Sequence, residues 1–209
     1  MYHLPLFLLG IQLPRRLLIS GGLLSNLGNV QDNYKTPELY FYGDVDPDTS
    51  IALQASIKVK NEQLEEFVEN ESGLKNPHID LHIQSRGGSA MTGLHLSDYI
   101  IKSKFPIHTY VDGFAASAAT IMSVSGTKRF ITKHSLVLIH QPSVEISGSQ
   151  NIKSLEDEET NMKMIFENMI NIYATYTKMD RKKISELLED EKYLNSNDCL
   201  KLGIVDYIL

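Results

Sequence analysis

A serine set among small residues, in Gly113-Phe-Ala-Ala-Ser117-Ala-Ala, opens an apolar run that reads as a helix. A histidine closes a second apolar run, Leu138-Ile-His140-Gln-Pro142, 23 residues further on. Small neighbours leave backbone room around a hydroxyl, and the first turn of a helix has unpaired backbone N–H groups. A hydroxyl and an imidazole so placed are parts for nucleophilic acyl transfer, in which the histidine takes the serine proton and returns it to the leaving group. The simpler reading of the same residues is a helix-capping Ser117 and a core His140. Upstream, Ile79-Asp-Leu-His-Ile-Gln84 alternates as a strand does, and Ser85-Arg-Gly-Gly-Ser89 breaks it. Gly87 and Gly88 admit backbone angles closed to other residues and let a carbonyl approach the main chain. A Gly-Gly turn between a strand and a helix is a place where N–H groups can hold an oxyanion.

Alternating strands and helices must position these groups. Residues 38–42 read as a strand. Asp46 or Asp48 caps a helix running through Ile57, with Ile51, Leu53 and Ile57 facing inward; Asp46 is the better cap, since Pro47 then falls at the first helical position. The patterns then predict a strand over 79–84, a helix over 90–103, a strand over 106–111, the serine's helix over about 116–125, and strands near 128–131 and 135–139. This rhythm indicates an α/β fold with a largely parallel sheet. A polar stretch from Ser143 to Gln150 precedes a long helix over about 152–177. Its Met162, Met164, Ile165, Phe166, Met169, Ile170, Ile172 and Tyr173 form one wide apolar face, as expected of a helix that packs against another copy of the chain or serves as a core helix. Asp180 caps a short helix ending near Leu188.

The segments Tyr40–Asp44, Gln84–Gly88, Gly113–Ser117, Ile139–Pro142 and Leu202–Leu209 resemble the Clp protease proteolytic subunit (ClpP) family, serine peptidases of the ClpP/crotonase-like fold. Gly-x-Ala-Ala-Ser and His-Gln-Pro are the specific motifs, and the separation of 29 residues between Gly88 and Ser117 also fits. The resemblance implies repeated β-β-α units, a peptidase domain over 38–209, and a protruding strand-helix handle over about 143–177. It implies Ser117 as nucleophile, His140 as base, and the N–H groups of Gly88 and Ala118 as the oxyanion hole. It implies heptameric rings stacked in pairs as a tetradecamer, unfolded polypeptides as substrates, and an AAA+ unfoldase as a partner. Four positions depart from the family pattern. Arg86 stands where the family has proline, and Ala118 where it has methionine. In Leu188-Glu-Asp-Glu-Lys-Tyr-Leu194, Glu191 falls at the place of the catalytic aspartate, with Asp190 one residue earlier as the alternative. Residues 1–37 do not match the family's axial-loop segment. The missing aspartate keeps open a second reading, a catalytically silent, ClpR-like structural subunit of a mixed ring. A crotonase-type acyl-CoA enzyme is a third, weakened by the Ala-Ala-Ser and His-Gln-Pro pairing.

Composition narrows the field. A chain of 209 residues, 42% hydrophobic and 22% charged, is expected to form one globular domain. A net charge of −6 argues against nucleic acid as a partner. The single cysteine, Cys199, allows no internal disulfide and fits a reducing compartment such as the cytoplasm. The 7 histidines are scattered without metal-ligand spacing, so neither a metal nor another cofactor is expected. No Walker A pattern occurs, so the chain is not expected to hydrolyse ATP itself. The first 31 residues lack any acidic residue. They read as a tail, or as a targeting segment for a mitochondrion or plastid, and the apolar run Leu4–Leu9 is too short to cross a membrane. Among the remaining tempting residues, His82 reads as structural and His134 as a surface turn residue. Arg86 is a solvated side chain or a contact to substrate backbone or to a neighbouring subunit.

Overall fold

The computed structural model describes residues 34–70, 74–143 and 151–209. Of the tail or targeting segment expected over 1–37, residues 1–33 lie outside the described residues, as does most of the stretch before the long helix. In chain order the elements are β1 (Glu38–Tyr42), α1 (Pro47–Asn70), β2 (Ile79–Ser85), α2 (Ala90–Ile101), β3 (Ile107–Ala116), α3 (Ala118–Val124), β4 (Lys128–Ile131) and β5 (Leu136–Leu138). They continue as α4 (Ile152–Tyr176), α5 (Arg181–Glu189), β6 (Leu194–Asn195), α6 (Ser196–Leu202) and β7 (Tyr207–Ile208).

The strands form one sheet in the order β1-β2-β3-β4-β7, with β5 joined to β3 and β6 to β5. Every pairing is parallel except β5–β6. The alternation of β2 buries Ile79, Leu81, Ile83 and Ser85. These meet an apolar core that includes Leu53, Ile57 and Leu64 of α1, Leu96 and Ile100 of α2, and Ala119, Ile121 and Met122 of α3. Asp46 caps α1, its Oδ1 accepting from Thr49 N at 2.8 Å, and Pro47 is the first helical residue. The helix runs past Ile57 to Asn70 because Lys58–Asn70 is mostly strong helix formers that also bury Leu64. Ile51 does not face the core: it is 66% exposed.

β3 is longer than its pattern suggests and changes partners midway. His108–Val111 pair with β4, whereas Phe114–Ala116 pair with β5. The buried Ser135 hydroxyl bridges the change, accepting from Gly113 N at 2.7 Å and donating to Val111 O at 3.0 Å. The strand thus carries on to Ala116, and α3 starts at Ala118 rather than 116.

α4 buries only Met169, Ile170 and Tyr173, all in its C-terminal part. Met164, expected on the packed face, is 56% exposed, and Ile152 is 78% exposed. At 25 residues the helix is about 37 Å long, and its N-terminal part projects from the domain. Asp180 caps α5 through Lys183 N at 2.7 Å. No helix among the described residues is long and apolar enough to cross a membrane.

Candidate active site

Ser117 sits between β3 and α3 with φ 54° and ψ −129°. A non-glycine residue holds such angles only where its surroundings fix them, at a cost of about 1–3 kcal/mol. Here the restraints are visible. Ser117 N donates to Leu138 O at 2.9 Å, and Ser117 O accepts from Thr120 N at 2.9 Å and from the Thr120 hydroxyl at 2.6 Å. That same hydroxyl meets the Tyr173 hydroxyl of α4 at 2.5 Å, deep in the core. The Ser117 side chain makes no capping bond and is half-buried. The backbone is therefore locked while the hydroxyl stays available.

His140 follows the adjacent strand. Ala116 pairs with Leu138 in parallel register, so Ser117 and His140 emerge from neighbouring strand ends. His140 is half-buried beyond the buried Ile139. Ser117 Oγ and the imidazole are not hydrogen-bonded to each other in this structure.

The Gly-Gly turn packs directly on the serine. Gly87 has φ 96°, and a Cβ there would lie 2.6 Å from Ser117 Cβ and 3.1 Å from Ala118 N. Gly88 has φ 144°, and its Cβ would lie 2.4 Å from Val45 O. Val45 clamps the turn, donating to Gly87 O at 2.8 Å and accepting from Ser89 N at 2.8 Å. The N–H groups of Gly88 and Ala118 have no backbone acceptor among the described residues. Two N–H groups without a backbone acceptor thus adjoin a serine whose hydroxyl makes no capping bond, and such donors are one part of what acyl transfer needs.

The carboxylate segment is close, but its carboxylates are not engaged with the histidine. Gln141 N donates to Leu188 O at 2.7 Å, which ties the end of α5 to the residue after His140. Asp190 terminates α5 and pairs with Lys192 at 3.2 Å. Glu191 is exposed. Among the other residues singled out, Arg86 and His134 are exposed. His82 lies on the opposite face of the sheet from the buried side chains of β2. Its ring is stacked between Tyr40 and Tyr110 at 4.9 and 4.7 Å, and its Nδ1 lies 2.7 Å from Asp112. The Tyr42 hydroxyl donates to the same carboxylate at 2.8 Å, and burial together with that bond pushes the phenol up to about 12. Sequence reading missed this network; its signal was the period-two recurrence of Tyr40 and Tyr42 and of Tyr110 and Asp112, and the register of β1 and β3 on β2 then sets Tyr40 and Tyr110 on either side of His82.

A Clp protease family model matches residues 40–209. The chain belongs to the Clp protease family. Among its curated relatives, the ATP-dependent Clp protease proteolytic subunit of Bigelowiella natans is 31% identical over 141 residues, covering 66% of this chain and 71% of the relative. The ATP-dependent Clp protease proteolytic subunit 2 of Mycolicibacterium paratuberculosis is 29% identical over 133 residues, covering 63% of this chain and 66% of the relative. The matched region thus spans about two thirds of the relatives' length. Among solved structures, a single-substitution mutant of ClpP1 from Listeria monocytogenes superposes with a TM-score of 0.69 at 21% identity, covering 82% of this chain and 90% of that one. The fold is therefore the ClpP/crotonase-like fold.

Proposed function

We propose that residues 38–209 form a serine endopeptidase domain that cleaves unfolded polypeptides through an acyl-enzyme. The observation that supports this best is the locked Ser117 backbone, with a free hydroxyl, pressed against Gly87-Gly88 and flanked by two N–H groups without a backbone acceptor. Ser117 Oγ attacks the scissile carbonyl. His140 accepts its proton and delivers it to the leaving amine. The N–H groups of Gly88 and Ala118 bind the oxygen as it becomes negative, each contributing roughly 3–4 kcal/mol by the scale of other acyl-transfer sites. A carboxylate holds the imidazole tautomer and stabilises the imidazolium. Glu191 is the first candidate and Asp190 the second. Either must turn toward His140, and the Gln141–Leu188 bond keeps the segment within reach of that turn.

Neither Ser117 nor His140 lines the cavity beside Tyr42, Gln84 and Phe114 or the one beside Arg129, Tyr176 and Tyr207. The enclosed chamber of this reading is built by assembly into heptameric rings stacked in pairs, with α4 as the interdigitating handle. An AAA+ unfoldase supplies the polypeptide and the ATP-driven work, and the peptidase itself uses no cofactor.

A second reading, the silent structural subunit, is favoured by the carboxylates that do not touch His140. Labelling with a fluorophosphonate probe separates the two. The assembled wild-type chain labels, Ser117→Ala does not, and the weaker of Glu191→Ala and Asp190→Ala identifies the supporting carboxylate. An assembled wild-type oligomer that fails to label sinks the protease reading in favour of the silent one.

A further inference from the structure

At the N-terminal ends of β2 and β3, at the opposite end of β3 from Ser117, three side chains far apart in sequence converge. His78 Nε2 lies 3.5 Å from Asp80 Oδ1, and His108 Nδ1 lies 3.7 Å from the same oxygen. The three ligand atoms all fall within 4.8 Å of one another. Asp80 Oδ1 is buried and has no hydrogen-bond partner. A buried carboxylate oxygen left unsatisfied is costly and calls for a partner.

The protonation pattern sharpens the point. His78 Nδ1 lies 2.8 Å from Asn76 O, which can only accept, so Nδ1 carries the hydrogen. In the neutral ring, Nε2 then presents a lone pair to the Asp80 lone pairs. Two acceptors facing each other repel, and a cation held between them relieves the repulsion. The bond from the other ring nitrogen to a backbone carbonyl is also the outer-shell device that orients metal-binding histidines. Asn76 itself adopts φ 54°, in the left-handed region that asparagine enters more readily than most side chains, and its carbonyl meets the ring.

We propose that His78, Asp80 and His108 bind a divalent transition-metal ion of the zinc type. Bonds of about 2.0–2.1 Å in a tetrahedral site place ligand atoms roughly 3.3–3.4 Å apart, close to the spacings observed about Asp80 Oδ1. Two imidazoles and one carboxylate select zinc-type metals over magnesium or calcium, which require oxygen ligands. Water completes the coordination. The site clamps the start of β2 to the start of β3. It lies away from Ser117 along a strand of 10 residues, roughly 30 Å when extended, so its role is structural rather than catalytic for acyl transfer.

The test uses the full chain, untagged and stripped with chelator. Co(II) is titrated as a spectroscopic probe and then displaced by Zn(II), followed by thermal denaturation with and without zinc. One equivalent of Co(II) with intense tetrahedral visible bands, displacement by zinc, and a midpoint raised by about 5 °C or more at saturating metal are expected. His78→Gln, in the segment before β2, and Asp80→Asn weaken binding by at least about 100-fold, whereas His82→Gln leaves it unchanged. Circular dichroism checks that each variant folds. Absence of one-equivalent binding by the wild-type chain overturns the proposal. So does binding that is undiminished in both His78→Gln and Asp80→Asn, or equally lost in His82→Gln.

Discussion

The turn at Ser117 constrains its residues so tightly that single atoms decide it. Gly87→Ala adds a methyl 2.6 Å from both Ala116 O and Ser117 Cβ, at a φ of 96° that alanine disfavours. Either the turn withdraws Gly88 N–H or Ser117 shifts. Both disable the site, so the rate of fluorophosphonate labelling falls at least about 100-fold, the scale of losing one oxyanion donor. A labelling rate within about threefold of wild type would show that the Gly-Gly turn is no part of the site. The single thiol offers a contrast. Cys199 is buried, and desolvation pushes it up to about 12. It is not a nucleophile near neutrality, and iodoacetamide at pH 8 should modify it only after denaturant unfolds the chain; prompt modification of the native protein would contradict its burial. Ser117, His140 and the glycines were legible as a candidate site because small residues, apolar runs and a Gly-Gly break are local signals. His78, Asp80 and His108 were not, because only the parallel register of β2 with β3 places Asp80 beside His108.

Elements whose local signals agree with their packing were read correctly, and those set by long-range pairing were not. Asp46, Pro47 and Asp180 announce their helices through capping chemistry. The division of β3 between β4 and β5 depends on Ser135, twenty-odd residues away, and no periodicity encodes it. Two contacts between elements give testable energies. Thr120 links the Ser117 carbonyl to Tyr173, so α4 buttresses the turn at Ser117. Tyr173→Phe removes one buried hydrogen bond and should lower stability by about 1 kcal/mol in urea denaturation, with a parallel drop in labelling rate. An unchanged labelling rate would separate the two elements functionally. Arg129 of β4 binds the Asp206 carboxylate at 2.6 and 3.0 Å and the Gly203 carbonyl at 2.9 Å, and also meets Tyr176 O. It staples the sheet to the ends of α4 and α6. Arg129→Met leaves these acceptors unmatched and should cost about 2 kcal/mol, discounted for the partly exposed carboxylate. Arg129→Lys should recover less than half, since the planar fork is lost.

For the whole molecule, the balance of buried and exposed surface points outward from the chain. The domain has a continuous core, yet α4 extends well beyond its three buried residues and leaves Ile152, Leu155 and Met164 exposed at 78%, 44% and 56%. A projecting helix gains nothing from such residues unless a second surface covers them. The same chain carries −6 charges, which keeps separate copies soluble but also opposes their association, so apolar burial along α4 must outweigh that repulsion. The handle reading therefore predicts that the wild-type chain is a large oligomer by light scattering. Replacing Ile152 and Leu155 together by glutamate should yield a smaller species while leaving the far-ultraviolet circular dichroism unchanged. On the same reading, labelling at Ser117 should fall in that smaller species if a neighbouring subunit helps to hold the Glu191 segment against His140. A wild-type monomer, or a double variant that still assembles, would remove α4 from the interface. A small species that labels at the full rate would show instead that the site is complete within one chain, and that assembly only encloses it.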